Sequence, residues 1–191
     1  MIEDLILANR SYRRFKEAEP VDDRTLRWLI DLARHSASGG NVQPLKYIVS
    51  NTPEKNALVF PNTAWAGYLS DWPGPAEGER PSAYIIIVGD TQISSGFGCD
   101  HGIAAQSILL GAVEKGLGGC MIGSITRDAL RAALSIPERY EILLVVALGK
   151  PAEKVVLEDV GPDGSIKYYR DSDDAHHVPK RKLDEIILDL V

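Results

Sequence analysis

The strongest helical pattern of the chain predicts a long helix that is buried on nearly every side. Across residues 100–115, eight apolar side chains are spaced so that almost no polar side is left. A helix of this kind is buried in a large core or in a subunit interface, and for about four turns in a chain of this size we expect both. Weaker amphipathic patterns predict further helices at residues 2–9, after Asp22 or Asp23, after Thr52, after Thr126 and at 183–190. We expect Thr126 to cap the helix that follows it.

Short apolar runs predict the strands of a sheet. The runs at 83–89 and 143–148 indicate buried strands, and neither is long enough to cross a bilayer. Weaker strands are predicted at 47–49, 120–123 and, as part of a hairpin, 166–169. Helices and strands follow one another without a strict βα repeat, which favours an α+β fold, or a mixed α/β one, with helices on both faces of a single sheet.

Residues 60–82 form a long connection with an unusual composition. Trp65, Tyr68 and Trp72 stand among prolines and glycines, so the segment has large contact surfaces but no regular structure. Long ordered connections often act as lids or binding walls, so these three residues are candidate substrate contacts. From about residue 152 the chain is polar and rich in turns. This change predicts a core at 1–151 and a C-terminal extension at 152–191 that packs elsewhere on the molecule or on a second subunit.

Composition excludes several classes of protein. The 191 residues carry a formal net charge of −6, with 45% apolar and 25% charged residues, as in ordinary globular proteins. A pI near 5.2 without a long basic face argues against nucleic-acid binding, and no run suits insertion in a membrane. Two cysteines are too few for a disulfide framework, and the first residues lack the basic region of a signal peptide. We therefore expect a cytoplasmic protein.

One short segment contrasts with the acidic character of the chain. Residues 10–16 contain four cations, the Ser11 hydroxyl and two aromatic rings. Guanidinium groups such as those of Arg10 and Arg13 form paired hydrogen bonds to a phosphate, and a hydroxyl can add a third. The segment is therefore either an anion cradle for a cofactor phosphate or a solvated, charged helix end.

Three other segments fit the same theme. Residues 36–44 are small, amide-bearing and turn-forming, which suits either contacts to the edge of a heterocycle or a plain surface loop. The glycines of 116–123 follow a helix and not a strand, so they are no dinucleotide fingerprint and form either a helix cap or a cofactor wall. Lys180-Arg181-Lys182 places cations at a predicted helix start, where a nearby anion would relieve an unfavourable position.

The sequence contains no familiar pattern for a nucleophile, a general base or a metal site. It has no HExxH, CxxC, acidic metal cluster, Gly-x-Ser-x-Gly or P-loop motif. Two basic clusters, an amide-rich loop and a glycine-lined strand instead suit a heterocycle that carries phosphate. This combination is typical of an enzyme whose cofactor supplies the chemistry, and no residue is predicted to be catalytic.

Four motifs, in the same order, make the chain resemble the nitroreductase family. Residues 9–15 are similar to its Arg-Arg-Ser-x-Arg-x-Phe pattern, and residues 36–45 are similar to its Ala-Pro-Ser-x-x-Asn-x-Gln-Pro-Trp loop. Residues 104–123 are similar to its helix followed by Gly-Leu-Gly-Ser-Cys-Trp-Ile-Gly, and residues 148–151 to its Gly-Tyr-Pro corner. The resemblance runs from about residue 3 to residue 187. The departures are Asn9 at the place of the first arginine, Ala37 at that of a proline and Leu45 at that of the tryptophan.

The resemblance implies a mostly antiparallel central sheet flanked by helices, in a homodimer that binds FMN at the subunit interface near the long apolar helix. The C-terminal extension would pack on the partner subunit. The FMN phosphate would be bound by Arg10, Ser11 and Arg13, with help from Lys180 or Arg181. The other cofactor contacts that the resemblance implies are Ser38, Gly39, Asn41, Gln43, Met121, Ile122, Gly123 and Ser124.

The activity that the resemblance implies is ping-pong hydride transfer. NADH or NADPH would reduce FMN at N5, and an electron-poor small molecule, such as a nitroaromatic or a quinone, would then take the electrons. Residues 60–82 would select that acceptor. The alternatives are another flavin reaction on the same fold (dehydrogenation, dehalogenation or flavin fragmentation), a non-catalytic flavin-binding or FMN storage protein, and a structural interaction module.

Overall fold

The computed structural model describes residues 1–188, and this part of the chain divides into two compact units. The first unit comprises Met1–Trp65 and Gly74–Ala152, and the second comprises Ala66–Pro73 and the residues from Glu153 onward. The division of the chain into 1–151 and 152–191 stays a prediction, as does the role of 60–82 as a lid.

A four-stranded sheet forms the centre of the first unit. Its strands are β1 (Leu45–Ser50), β2 (Ala83–Asp90), β3 (Gly118–Ile122) and β4 (Tyr140–Gly149), in the order β1-β2-β4-β3. All three pairings are antiparallel. Every residue of β2 is buried, because this strand lies inside the sheet and is covered on both faces. The four strands predicted for this part of the chain are confirmed, with somewhat different ends.

Helices cover both faces of this sheet. They are α1 (Ile2–Ala8), α2 (Asp23–Arg34), α3 (Pro53–Val59), α4 (Asp100–Glu114) and α5 (Arg127–Leu134). Side chains alternate along β2, so Ile85 and Ile87 pack in one core with α2 and α4, while Tyr84 and Ile86 pack in another with α3 and α5. The predicted α+β class, with an antiparallel sheet flanked by helices, is confirmed.

Side-chain caps set two of the helix starts. Asp22 accepts a hydrogen bond from the backbone N–H of Thr25 at 2.8 Å, which satisfies a group that has no partner inside α2. The Thr52 hydroxyl accepts from the backbone N–H of Lys55 at 3.4 Å at the start of α3. Thr126 precedes α5 as predicted, but its hydroxyl makes no capping hydrogen bond, so the predicted cap is wrong.

The apolar helix α4 packs closely against α2. A Cβ on Gly111 would lie 2.5 Å from Cδ1 of Leu32 and 2.9 Å from Cδ2 of Leu29, so a glycine is what allows the two helices to approach. The predicted burial of α4 in the core is confirmed. Its predicted place in a subunit interface stays a prediction.

The second unit contains a small three-stranded sheet. Strand β5 (Val155–Asp159) runs parallel to β7 (His176–Lys180), and β6 (Tyr169–Arg170) pairs antiparallel with the start of β7. The strand predicted at 166–169 is wrong in its bounds. Only Tyr169 and Arg170 pair with β7. A strand of two residues forms only where it has such a partner.

The end of the described chain is less regular than predicted. Helix α6 (Leu183–Ile186) is a single turn, shorter than the predicted 183–190, and Leu190 of that prediction lies outside the described residues.

On β7, His177 lies between the carboxylates of Glu158 at 2.7 Å and Asp171 at 3.0 Å. These hydrogen bonds, that to Glu158 first, raise the pKa of His177.

Candidate functional site

The cationic segment at residues 10–16 lies along the outer edge of β3. Ser11 forms a parallel bridge with Gly119, and the backbone N–H of Tyr12 donates to the Gly119 carbonyl at 3.0 Å. The Phe15 ring is fully buried, and its backbone N–H donates to a carbonyl in the connection before β2. The backbone of the segment is therefore fixed, and its cations extend from a defined edge of the sheet.

The Arg10 guanidinium has one buried N–H donor that lacks an acceptor within the described chain. Its Nη2 donates to the Ile6 carbonyl at 2.6 Å, whereas its Nε is buried and has no hydrogen-bond partner among residues 1–188. Arg13 Nη1 donates to the Ser11 carbonyl at 3.2 Å, and Ser11 itself is exposed. A buried donor without an acceptor is costly, so this geometry favours an anion site over a solvated helix end.

The other two cations of the segment have carboxylate partners. Arg14 Nε lies 3.3 Å from the Glu79 carboxylate, and Lys16 Nζ lies 3.2 Å from that of Glu19. Their charges are balanced locally. Binding of an anion by Arg10, Ser11 and Arg13 stays a prediction that does not depend on these two cations.

The loop at residues 36–44 is anchored by a carboxylate at the start of α4. Asp100 accepts hydrogen bonds from the Ser38 hydroxyl at 2.6 Å and from the Gly39 N–H at 2.9 Å. The Ser38 oxygen also accepts from the Gln43 N–H at 2.9 Å. Asp100 is buried, and the two hydrogen bonds, that from Ser38 first, hold its pKa below the usual range. The loop is thus joined to α4 and closed on itself.

Three residues of this loop adopt a left-handed backbone. The φ angles of Gly40, Asn41 and Gln43 are 55°, 56° and 55°, a region that is uncommon for residues with side chains. The side chains of Asn41 and Gln43 are on the surface, and Gln43 Nε2 donates to the Asn41 carbonyl at 3.2 Å. Backbone strain of this kind clusters at ligand sites, so the loop fits the edge of a heterocycle better than a plain surface loop.

The end of β3 presents main chain to the surface. Met121 is 36% exposed, and Gly123 and Ser124 are exposed, whereas the Ile122 side chain packs in the core beside α5. A Cβ on Gly123 would meet no other atom within 4 Å. A ligand at this point would therefore contact Ile122 through its backbone, and open space lies beside Gly123.

The glycines before that point serve the fold. Gly116 follows α4 with φ of 68° and caps the helix. A Cβ on Gly118 would lie 2.5 Å from the Tyr12 ring, and one on Gly119 would lie 2.5 Å from the Ala147 carbonyl oxygen. Gly116 therefore caps α4, and Gly118 and Gly119 allow close packing. Gly123 is the glycine of this cluster that suits a ligand.

Trp65, a predicted substrate residue, lies in the first unit. Its ring packs on that of Phe60 with the centroids 6.1 Å apart, and a Cβ on Gly74 would come within 2.9 Å of its Cδ1. Its Nε1 is buried and has no hydrogen-bond partner in the described chain. Trp65 thus forms part of a packed wall.

Tyr68 and Trp72 lie in the second unit, where the tail holds them. The Tyr68 ring is 4.9 Å from that of Tyr168, and the Tyr68 backbone N–H donates to the Tyr168 hydroxyl at 3.3 Å. The Arg170 guanidinium lies 4.6 Å from the centre of the Trp72 ring, in a cation–π contact. The segment 66–73 is therefore bound to the C-terminal extension.

Lys180 and Arg181 also belong to the second unit. Lys180 ends β7 and Arg181 follows it, and both are exposed. Among residues 1–188 no group of three or more His, Cys, Asp or Glu side chains is arranged to hold a metal ion. No helix of that range is long and apolar enough to cross a membrane. The contact of these two cations with a phosphate stays a prediction.

Two residues of this region were missed by the sequence analysis. Asp100 anchors the 36–44 loop, and an acidic residue at the first position of an apolar helix was the signal that could have indicated it. His101 Nδ1 is buried without a hydrogen-bond partner in the described residues. A lone histidine has no sequence pattern that would have distinguished it.

A relative of known sequence is similar to much of this chain. An NADPH-flavin oxidoreductase from Vibrio harveyi is 28% identical over 156 residues, and the match covers 78% of this chain but only 65% of that relative. The chain thus spans a little less than two thirds of the relative's length.

Solved structures share the fold over most of the chain. A protein from Exiguobacterium sibiricum, solved in complex with FMN, has a TM-score of 0.67 at 16% identity over 80% of this chain and 89% of its own. A nitroreductase family protein from Streptococcus pneumoniae has a TM-score of 0.71 at 16% identity over 100% of both chains. The family model described as the nitroreductase family matches residues 6–73 and 78–150. The chain therefore belongs to the nitroreductase family.

Proposed function

We propose that this protein is an FMN-dependent oxidoreductase that passes hydride from NADH or NADPH to an electron-poor small molecule, such as a nitroaromatic or a quinone. Family membership supports the class of reaction. A relative named as an NADPH-flavin oxidoreductase and a neighbour solved with FMN support the cofactor. The observation that carries the proposal in this chain is the buried, unpartnered Nε of Arg10 beside the edge of β3.

We assign the FMN phosphate to Arg10, Ser11 and Arg13. A phosphate at this edge would give the Arg10 Nε its missing acceptor, and hydrogen bonds between ionised groups are about twice as strong as neutral ones. The exposed Ser11 hydroxyl can add a further donor. Lys180 or Arg181 would add positive charge.

We assign the heterocycle to the 36–44 loop. The exposed side chains of Asn41 and Gln43 carry both donors and acceptors, which suits the mixed polar edge of a flavin ring. Ser38 and Gly39 shape the same wall and line the ribityl chain, although their hydrogen bonds run to Asp100. The loop's fixed backbone would orient the ring before any hydride moves.

The end of β3 would form the other wall. The open space beside Gly123 lets a flat ring approach the main chain of 121–124, where Met121 and Ser124 are accessible. When bound, FMN accepts hydride at N5 and passes it on. The part of this chain is to bind the phosphate, orient the ring and exclude water from it.

We place the cofactor in the interface of a cytoplasmic homodimer. The half-buried Ile103, Leu110 and Val113 of α4 leave apolar surface that a second subunit would cover. The C-terminal extension at 152–191 would pack on that subunit. Trp65, Tyr68 and Trp72 would then bound the space for the acceptor.

The flavin content and reduction of the purified protein test the function. We expect one FMN per subunit, loss of its visible absorption when NADH or NADPH is added without air, and recovery when a quinone is added. A colourless protein would contradict flavin binding and favour an interaction module. Bound FMN that neither nucleotide reduces would favour a storage protein.

The phosphate assignment is tested by Arg10→Gln and Arg13→Gln. Each should weaken FMN binding at least tenfold, because a hydrogen bond to a charged group contributes about 1.5–3 kcal/mol. Arg34→Gln is the matched control, since it removes an exposed guanidinium that pairs with Asp31. Full FMN occupancy in both test variants would refute the assignment.

A further inference from the structure

The first unit contains a cavity whose wall includes none of the residues assigned to FMN and none of Trp65, Tyr68 and Trp72. It has a volume of about 270 Å³ and is bounded by the chain after the cationic segment, the start of α3 and the start of β2. Its polar wall is formed by Glu17, Asn51, Asn56, Arg80, Ser82 and Tyr84.

Three of these side chains carry polar atoms that have no hydrogen-bond partner among residues 1–188. They are Nε of Arg80, Oγ of Ser82 and the Tyr84 hydroxyl. Tyr84 is fully buried and Ser82 is 5% exposed. Buried polar atoms nearly always have a partner, so three of them on the wall of one cavity indicate that their partner comes from outside the chain.

Two neighbouring polar side chains make hydrogen bonds that fix the wall. The Glu17 carboxylate accepts from two backbone N–H groups, one of them that of Arg80 at 3.3 Å. The Asn56 amide donates to the Ser82 carbonyl at 2.9 Å and accepts from the Ser50 hydroxyl at 2.8 Å. Neither group is hydrogen-bonded to any of the three unpartnered atoms.

The three atoms together favour an anion. Arg80 Nε can only donate, and the hydroxyls of Ser82 and Tyr84 can donate as well. Burial raises the pKa of Tyr84, so its hydroxyl keeps the proton that it would donate. The Arg80 guanidinium lies 4.5 Å from the centre of the Phe60 ring, a contact that orients it. Because Glu17 adds negative charge to the wall, a ligand with a single delocalised charge fits best.

We propose that this cavity binds a small carboxylate whose apolar body is about the size of one aromatic ring. The carboxylate would accept from Arg80, Ser82 and Tyr84, and the body would lie against Phe60 and Pro81, which also line the cavity. The volume is adequate, since a cavity of about 150 Å³ already holds benzene.

Calorimetric titration of the protein as purified, with benzoate as the probe and benzamide as its uncharged counterpart, tests this site. We expect saturable binding of benzoate and at least tenfold weaker binding of benzamide, because charged hydrogen bonds are the stronger ones. Tyr84→Phe removes one donor at nearly constant volume and should weaken benzoate binding about tenfold. Arg80→Gln should weaken it further. Tyr84→Phe should not lower the melting temperature, since the hydroxyl that it removes has no partner in the free protein.

Tyr140→Phe is the matched control, because Tyr140 is not on the wall of this cavity, and it should bind benzoate as the native protein does. Three results would each overturn the proposal: no saturable binding of benzoate, equal binding of benzamide, or benzoate affinity unchanged by Tyr84→Phe and Arg80→Gln. In the last case, a benzoate-induced shift of the visible flavin absorption would place the probe at the cofactor.

Discussion

Asp100 is expected to hold the 36–44 loop in the shape that the cofactor requires. Its carboxylate joins the start of α4 to Ser38 and Gly39. Asp100→Asn keeps the volume but replaces one acceptor oxygen with an NH₂ donor. Because the Gly39 N–H can only donate, the side-chain oxygen of the new Asn must face it. The Asn NH₂ group must then face the Ser38 hydroxyl. That hydroxyl already accepts from Gln43, so the substitution removes the charged acceptor of the loop.

The loss amounts to roughly one hydrogen bond to a buried, ionised carboxylate, about 1.5–3 kcal/mol. In a chain of this size each kcal/mol changes the melting temperature by roughly 2–4 °C, so the variant should melt about 3–12 °C lower. The folded-state pKa of Asp100 is lowered. Its contribution is therefore complete above the unfolded value of about 4 and is lost as the pH falls through the lowered value. The difference between variant and native protein should narrow below about pH 4.

Thermal unfolding and FMN retention, measured on the same samples from pH 3 to pH 7, check this expectation. Asp31→Asn is the control, because Asp31 pairs with Arg34 at 2.8 Å on the surface, an interaction that contributes about 0–1 kcal/mol. FMN retention should fall in Asp100→Asn and stay unchanged in Asp31→Asn. Equal melting temperatures of Asp100→Asn and the native protein at neutral pH would refute the reasoning.

Four further predictions concern the second unit, β3 and Gly123, which follows β3. Arg170→Met removes an ion pair to the buried Glu153 carboxylate at 3.0 Å. The free energy of unfolding of the second unit should fall by about 3 kcal/mol, and its backbone amides should exchange faster. Unchanged amide exchange would contradict this. Because its carboxylate partners raise the pKa of His177, the stability that they contribute is complete below about pH 6.5 and is lost as the pH rises through the raised value. Amide exchange of β7 across that range should show this loss, and His177→Gln should abolish it. Gly119→Ala places Cβ 2.5 Å from a carbonyl oxygen and should cost roughly 1–3 kcal/mol in thermal unfolding. Gly123→Ala meets no atom within 4 Å and should leave the melting temperature unchanged while it lowers FMN retention.

The elements that the sequence predicts well are those whose burial is set by their own composition. Strand β2 is apolar along its length and α4 nearly all round, so both have few alternatives to a place inside the core. The bounds of β6 and α6 were predicted poorly, because a two-residue strand and a one-turn helix depend on what they pack against. The same dependence explains why Thr126 precedes α5 without capping it.

The sequence by itself determined the family and the residues proposed for the phosphate, since Arg10, Ser11 and Arg13 lie close together along the chain. Only the tertiary structure decided which groups near them are left without a partner. It joined Asp100 to a loop some sixty positions earlier in the chain. It also separated the glycines that the fold requires from Gly123, which has open space beside it. The reason is physical: hydrogen bonds and close contacts between distant segments leave no periodic pattern in the sequence, whereas burial of a helix or strand does.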